Sequence, residues 1–111
     1  MKREEEILQG KMVMWYDQEY PTKRGTLFHV DNNSWNSIIG SKKKALGVRA
    51  GVSDLILIME AKVVFIEVKT DTGEQSEHQE KFQKMVFILG HEYYIVRTLD
   101  QFQALIITLY G

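Results

Sequence analysis

The sequence has 111 residues, a formal net charge of −1 at pH 7, 44% hydrophobic residues and 26% charged residues. These values are typical of one small globular domain, so we expect a single domain over residues 1–111. The absence of cysteine excludes disulfides and thiolate metal sites. Apolar runs are too short to cross a membrane and the N-terminal residues lack the core of a signal peptide, which predicts a cytoplasmic protein with no membrane partner.

The first predicted element is a helix over residues 3–19. Leu8, Met12 and Trp15 recur at the i, i+4 and i+7 spacing of a helix that buries one side. Pro21 ends this helix, because proline restricts the residue before it and cannot continue the helical hydrogen bonds.

A strand and a long polar segment follow the first helix. Residues 26–31 (TLFHVD) predict a strand, and residues 32–51 predict a long loop with a short helix near 41–46. Loops of this length in small domains often carry function. The segment also holds a group of basic residues that predicts a locally basic face, although such a group is commonly just a solvated surface. Its members are Lys42, Lys43, Lys44 and Arg49.

Two short apolar runs, 55–59 and 63–66, form the centre of the sequence. Each is rich in Ile and Val and apolar at odd and even positions alike, which predicts strands buried on both faces. The break between them is short enough only for a hairpin.

Acidic residues lie at one end of this predicted hairpin. If Met59 and Lys62 close an even loop, Asp54 lies directly opposite Glu67 on the same face of the sheet. An odd loop would put the two carboxylates on opposite faces unless a bulge intervened. Like charges facing each other are unfavourable unless a cation or a proton lies between them.

Residues 76–89 predict a second helix. Ser76 and Gln79 match the S-x-x-Q pattern of a capping box, and Gly90 stands where helices commonly end. Capping is therefore one explanation of Gln79, which also lies on the face expected to meet the sheet. The predicted apolar face consists of Phe82, Met85, Val86 and Leu89.

A strand over residues 93–97 (YYIVR) and a last helix capped by Asp100 complete the chain. A helix between two strands of one sheet implies a right-handed crossover and parallel pairing. The predicted fold class is α/β, with a mixed sheet flanked by helices and a C-terminal helix.

Asp54, Glu67 and Lys69 form a pattern that suits phosphodiester chemistry. Carboxylates bind hard cations such as Mg²⁺ or Mn²⁺, which leave positions open for water and phosphate oxygens. A lysine beside them could stabilise charge that develops at phosphorus. The alternative is a structural ion pair between Lys69 and one of the acids, because Asp…Glu-x-Lys is a common pattern in short sequences.

Other sites are poorly supported by the sequence. His29, His78 and His91 show no spacing typical of metal ligands, although His29 could face the site from the first strand. The glycine-rich motifs of nucleotide binding and the motif of serine hydrolases are absent, so no organic cofactor is expected.

Several ordered motifs together resemble the VRR-NUC domain, the virus-type replication-repair nuclease branch of the PD-(D/E)XK superfamily. They are FHVDN (28–32), GVRAGVSD (47–54), FIEVK (65–69), SEHQ (76–79) and GHEYYIVR (90–97). The resemblance covers nearly the whole chain and implies a restriction-endonuclease-like αβββαβ core. One departure is Ser53, where the family usually has proline before the aspartate.

The resemblance also implies roles for individual residues. Asp54, Glu67 and the backbone carbonyl of Val68 would hold Mg²⁺ or Mn²⁺, and Lys69 and Gln79 would complete the catalytic site. Glu5 corresponds best to the acidic residue of the first helix.

For the acids of the first helix, two points stay open in the sequence. Glu4 and Glu6 are alternatives to Glu5 as the residue that faces the site. All three acids could instead only complement the dipole of the first helical turn.

The expected function is that of a metal-dependent deoxyribonuclease of phage or prophage type. Stand-alone members of this family resemble homodimeric Holliday-junction resolvases, so four-way DNA is the expected substrate and Lys42, Lys43, Lys44 and Arg49 are the expected phosphate contacts. The alternatives are a nuclease for flaps, nicks or plain duplex, and a non-catalytic DNA-binding subunit of the same fold.

Overall fold

A computed structural model describes residues 2–31, 37–70 and 72–111. Within them the chain forms α1 (Arg3–Glu19), a short 3-10 helix (Pro21–Lys23), β1 (Leu27–His29), α2 (Ser37–Ala45), β2 (Leu55–Met59), β3 (Lys62–Val68), α3 (Glu77–Ile88), β4 (Glu92–Val96) and α4 (Leu99–Tyr110). Asn32, which the resemblance places at the end of the first strand, lies outside the described residues. None of the helices in the described ranges is long and apolar enough to cross a membrane.

The four strands of the described chain form one mixed sheet in the order β1-β2-β3-β4. The first two pairings are antiparallel and the pairing of β3 with β4 is parallel. This arrangement confirms the predicted α/β fold, including the crossover through α3. Met59 pairs with Lys62 and Leu55 with Ile66, so the hairpin has the even loop that the sequence allowed.

The two faces of the sheet are covered by different helices. α1 and α4 pack on one face, and α3 packs on the other, where the ring of Phe82 contacts Phe65 and Tyr93. Because side chains alternate along a strand, Glu67 lies on the α3 face together with Phe65. The core on the opposite face is formed by Met12, Tyr16, Leu27, Leu55, Leu57, Val64, Ile66, Val68, Val96, Phe102 and Ile106.

α3 begins as predicted but buries fewer residues than expected. Ser76 is the N-cap of a complete capping box, and Gly90, with φ of +86°, follows the end of the helix. Val86 is buried, whereas Met85 and Leu89 are 56% and 73% exposed. The predicted apolar face was therefore partly wrong, because α3 packs mainly against β4, which is an edge strand of the described sheet.

Two other boundaries differ from the sequence prediction. α2 begins at Ser37, four residues earlier than expected, and buries no side chain. The N-cap of α4 is Thr98 and not Asp100: the Thr98 hydroxyl accepts a hydrogen bond from the Gln101 amide at 3.1 Å. Asp100 lies instead in the first turn, where its charge complements the helix dipole.

Candidate metal centre

Beyond the last paired residues of the hairpin, Asp54 and Glu67 link the two strands through hydrogen bonds from backbone amides to their carboxylates. The Asp54 amide donates a hydrogen bond to Glu67 Oε1 at 3.1 Å, and the Val68 amide donates one to Asp54 Oδ2 at 2.9 Å. Each carboxylate thus accepts an amide proton from the opposite strand. The register that the sequence offered as one of two alternatives is the one the structure has.

The backbone of Asp54 is also held from the edge strand. Its carbonyl oxygen accepts a hydrogen bond from the Val30 amide at 2.9 Å and lies 2.8 Å from His29 Nδ1. His29 therefore contacts the backbone of Asp54 and not its carboxylate. The buried Ser53 hydroxyl donates to the Leu55 carbonyl at 2.8 Å, which gives the turn before Asp54 a hydrogen bond that proline could not supply.

Gln79 serves the helix and the site at once. Its Oε1 accepts from the Ser76 amide at 2.9 Å, which completes the capping box, and its Nε2 donates to Glu67 Oε2 at 2.6 Å. Gln79 therefore makes both contacts that the sequence suggested, one with the helix cap and one with the sheet. The cap fixes the orientation of the amide, and the amide in turn fixes the orientation of the Glu67 carboxylate.

Glu67 is buried beside a second carboxylate, and this environment opposes its ionisation. It is 6% exposed. Burial, followed by the neighbouring charge of Asp54, raises the pKa of Glu67 to about 8. The ammonium of Lys69, 3.8 Å from Glu67 Oε2, offsets part of this effect. Lys69 is itself held by its amide, which donates to the Val96 carbonyl at 3.1 Å.

Glu5 reaches the edge of this cluster from α1. Its Oε2 accepts a hydrogen bond from the Thr70 amide at 3.2 Å, just beyond the end of β3. Glu5 is half-buried, whereas Glu4 and Glu6 are exposed. Of the three candidate acids, Glu5 is thus the one that the structure places against the segment carrying Lys69.

The side chains present suit a hard cation that retains water. Within the described ranges no group of three or more His, Asp or Glu side chains lies close enough to hold a metal ion. The donor set is therefore the two carboxylates of Asp54 and Glu67, with the Val68 carbonyl as a further candidate. Each carboxylate oxygen has more than one lone pair, so its amide contacts do not exhaust it. Oxygen donors with few protein ligands fit Mg²⁺ or Mn²⁺, and a cation would offset the repulsion described above.

Gly51 allows the loop before Asp54 to lie on α3. Its φ is +89°, and a Cβ at this position would lie 2.2 Å from the carbonyl oxygen of His78. Glycine suits this position both because of its positive φ and because any side chain would push the loop away from the first turn of α3.

The basic residues lie on the segment that leads to Asp54. Lys42, Lys43 and Lys44 form the last turn of α2, and Arg49 Nη1 donates to the Lys44 carbonyl at 3.3 Å. Lys42, Lys44 and Arg49 are exposed and Lys43 is half-buried. The structure thus groups these four residues on the surface.

Comparison with solved structures supports the fold. A structure described as "VRR_NUC domain protein" superposes with a TM-score of 0.77 over 92% of this chain and 84% of that chain, at 20% sequence identity. The chain has the fold of that VRR_NUC domain protein. No protein-family model matches the sequence, and no curated protein matches it.

The sequence did not reveal every residue that borders the site. The Thr70 amide, which contacts Glu5, carries no sequence signal, because any residue except proline could supply it. Tyr93, whose ring lies on the α3 face next to Phe65, was assigned only to a strand. The parallel pairing that followed from the crossover could have placed it on that face, had the register been known.

Proposed function

We propose that this protein is a metal-dependent endonuclease that hydrolyses phosphodiester bonds in DNA. The observation that carries the proposal is the pair of carboxylates formed by the buried Glu67 and the half-buried Asp54, held by each other's strands beside the ammonium of Lys69. Two such charges are unfavourable unless a cation or a proton lies between them. The fold shared with a VRR_NUC domain protein adds support for a nuclease.

Each residue of the cluster has a definite task under this proposal. Asp54, Glu67 and the Val68 carbonyl would hold Mg²⁺ or Mn²⁺. When bound, the cation lowers the pKa of a water molecule and offsets negative charge at the phosphate. Lys69 places a positive charge next to the reacting phosphate, and its own position is fixed by the sheet. Gln79 holds Glu67 in place.

Glu5 has a supporting task. Its carboxylate holds the Thr70 amide and so fixes the chain directly after Lys69. Removing it should therefore affect cleavage less than removing Lys69.

The DNA would be held through its phosphates. Lys42, Lys43, Lys44 and Arg49 provide positive charge on the segment leading to Asp54, and phosphate contacts bind DNA without reading its sequence. Selection by shape is then the expected basis of specificity. A domain of this size carries one site, so symmetrical cutting of a four-way junction requires a homodimer with a two-fold axis.

A cleavage assay on defined DNA substrates tests the proposal. Labelled four-way, flap, nicked and plain duplex DNA would be incubated with Mg²⁺, Mn²⁺ or EDTA. We expect cleavage that requires the metal, is fastest on the four-way junction, and falls at least a hundredfold in Lys69→Ala and Glu67→Ala. Lys62→Ala is the matched control, because Lys62 pairs with Glu92 at 2.6 Å at the other end of the hairpin and should leave cleavage unchanged.

Each outcome has a distinct meaning. Cleavage of flaps, nicks or plain duplex faster than that of the four-way junction would support the nuclease chemistry and reject the four-way junction as the preferred substrate. DNA binding without metal-dependent cleavage would reject the enzyme and leave a non-catalytic DNA-binding subunit. A protein that resolves junctions symmetrically yet has the mass of a monomer in light scattering would reject the homodimer.

A further inference from the structure

The hydroxyl group of Tyr93 is buried on the site's side of the sheet, and no described residue accepts a hydrogen bond from it. Tyr93 is 8% exposed, pairs with Phe65 in the parallel register and so shares a face with Glu67. Its ring packs edge-on against Phe82 of α3 at a centroid distance of 6.2 Å. Within the described part of the chain, the Tyr93 hydroxyl oxygen makes no hydrogen bond.

Such a group is uncommon, because a buried hydroxyl that loses its contact with water is destabilising unless another partner replaces it. The other deeply buried tyrosine follows the rule: the Tyr16 hydroxyl lies 2.8 Å from Thr26 Oγ1 and 2.6 Å from the Tyr110 hydroxyl. Tyr93 therefore differs from Tyr16 in that no described residue accepts its hydroxyl proton.

Polar groups lie around the Tyr93 hydroxyl. Burial is the main cause that raises the pKa of Tyr93, and the negative charge of Glu67 raises it further; the Gln75 amide, as a nearby donor, lowers the pKa, and the charge of Asp54 raises it. A donor cannot accept the hydroxyl proton, and neither carboxylate makes a direct hydrogen bond with the hydroxyl. A buried space between such polar groups can hold an ordered water molecule.

We propose that Tyr93 is a positioning residue of the metal centre, whose hydroxyl donates a hydrogen bond to a buried water that bridges to the Glu67 carboxylate. The inference rests on the proposed function, because it assigns Tyr93 a place in the same site. Glu67 already accepts from the Asp54 amide and from Gln79. The bridging water adds a donor from β4, so that Glu67 is held from three elements of the fold.

The test uses Tyr93→Phe, with Tyr16→Phe as a matched control at a distance. Residues that orient metal ligands typically change metal affinity or activity by about ten- to a hundredfold when removed. We expect Tyr93→Phe to weaken Mn²⁺ binding about tenfold in calorimetry. We also expect it to lower kcat for DNA cleavage by a similar factor with KM unchanged, and to leave the melting temperature of the metal-free protein the same or higher. Tyr16→Phe should lower the melting temperature and leave Mn²⁺ affinity unchanged.

The outcomes separate this inference from the function on which it rests. If the wild type binds Mn²⁺ and cuts DNA while Tyr93→Phe does both equally well, Tyr93 has no positioning role. If the wild type binds no Mn²⁺, the proposed function fails and the role of Tyr93 fails with it. If Tyr93→Phe and Tyr16→Phe both lower the melting temperature and both weaken Mn²⁺ binding by similar factors, the loss of affinity follows from lost stability, the Tyr93 hydroxyl is purely structural, and the inference is overturned.

Discussion

Replacing Glu67 by glutamine should raise the free energy of unfolding of the metal-free protein, relative to the wild type, more at high pH than at low pH. Glutamine keeps the shape of the side chain and removes the charge that burial and Asp54 oppose. The substitution also disturbs the hydrogen bond from Gln79, which costs about 1 kcal/mol. That cost is similar at every pH, so the dependence on pH isolates the effect of the charge.

The size and sign follow from the pKa of Glu67, which rises from 4.5 to about 8 on folding. Between these values the folded protein binds the proton more tightly than the unfolded chain, so the free energy of unfolding falls as the pH rises. Each pH unit in this window is worth about 1.4 kcal/mol. From pH 6 to pH 9 the wild type would lose about 3 kcal/mol at most, and solvent screening and relaxation of the pair reduce this to about 1 to 2 kcal/mol.

Urea unfolding in EDTA at pH 6 and pH 9 measures this effect. The difference in unfolding free energy between Glu67→Gln and the wild type should shift in favour of the variant by about 1 to 2 kcal/mol between the two pH values. The same variant should not cut DNA. If Glu67→Gln is more stable than the wild type at pH 9 and yet inactive, the carboxylate pair is kept for function and not for stability.

Glu92→Gln provides the control. Hydrogen bonds from Lys62 and Tyr94 lower the pKa of Glu92, so its carboxyl stays ionised in both states from pH 6 to pH 9 and its contribution is constant. A difference for Glu67→Gln that is the same at both pH values would refute the reasoning, because it would mean that Glu67 is ionised in the folded protein throughout.

Three further predictions concern two turns and a helix cap. Gly51→Ala should abolish cleavage and destabilise the fold by more than about 2 kcal/mol, because the new Cβ meets the His78 carbonyl at 2.2 Å. Gly47 has a similar positive φ and no atom within 4 Å of an added Cβ, so Gly47→Ala should lower the free energy of unfolding by only about 1 to 2 kcal/mol. Equal losses of unfolding free energy in the two alanine variants would contradict the clash at Gly51. Ala61→Gly should raise the free energy of unfolding by roughly 0.5 to 1 kcal/mol, because Ala61 has a φ of 65° in the hairpin loop, and a lower urea midpoint would count against this. Ser76→Ala should cost about 1 kcal/mol by removing the cap of α3, measured in the same way, and an unchanged midpoint would show that the cap contributes nothing.

Much of the fold was predictable because its strongest signals are local. The hairpin was evident from two short apolar runs, and α3 from a cap, a glycine and a helical period. The pairing of Asp54 with Glu67 followed once the loop length was known. These features depend on neighbours within a few residues, where periodicity and turn length determine the outcome.

The features that were missed depend on distant parts of the chain. Whether Met85 is buried depends on where α3 lies relative to the edge strand β4, which no local pattern encodes. The clash that excludes a side chain at Gly51 involves a carbonyl 27 positions further along the chain. Thr98 and Asp100 are both good N-caps, and the end of β4 decides between them.

Two backbone amide protons that bond to the carboxylates should report whether the centre holds a cation. The amide protons of Asp54 and Val68 each bond to a carboxylate oxygen that a cation would share. Their resonances in a nitrogen–proton correlation spectrum should therefore move together when Mg²⁺ is added, before any DNA is present. The occupancy of the centre could then be followed in solution, on nitrogen-15-labelled protein, without a substrate or a paramagnetic ion.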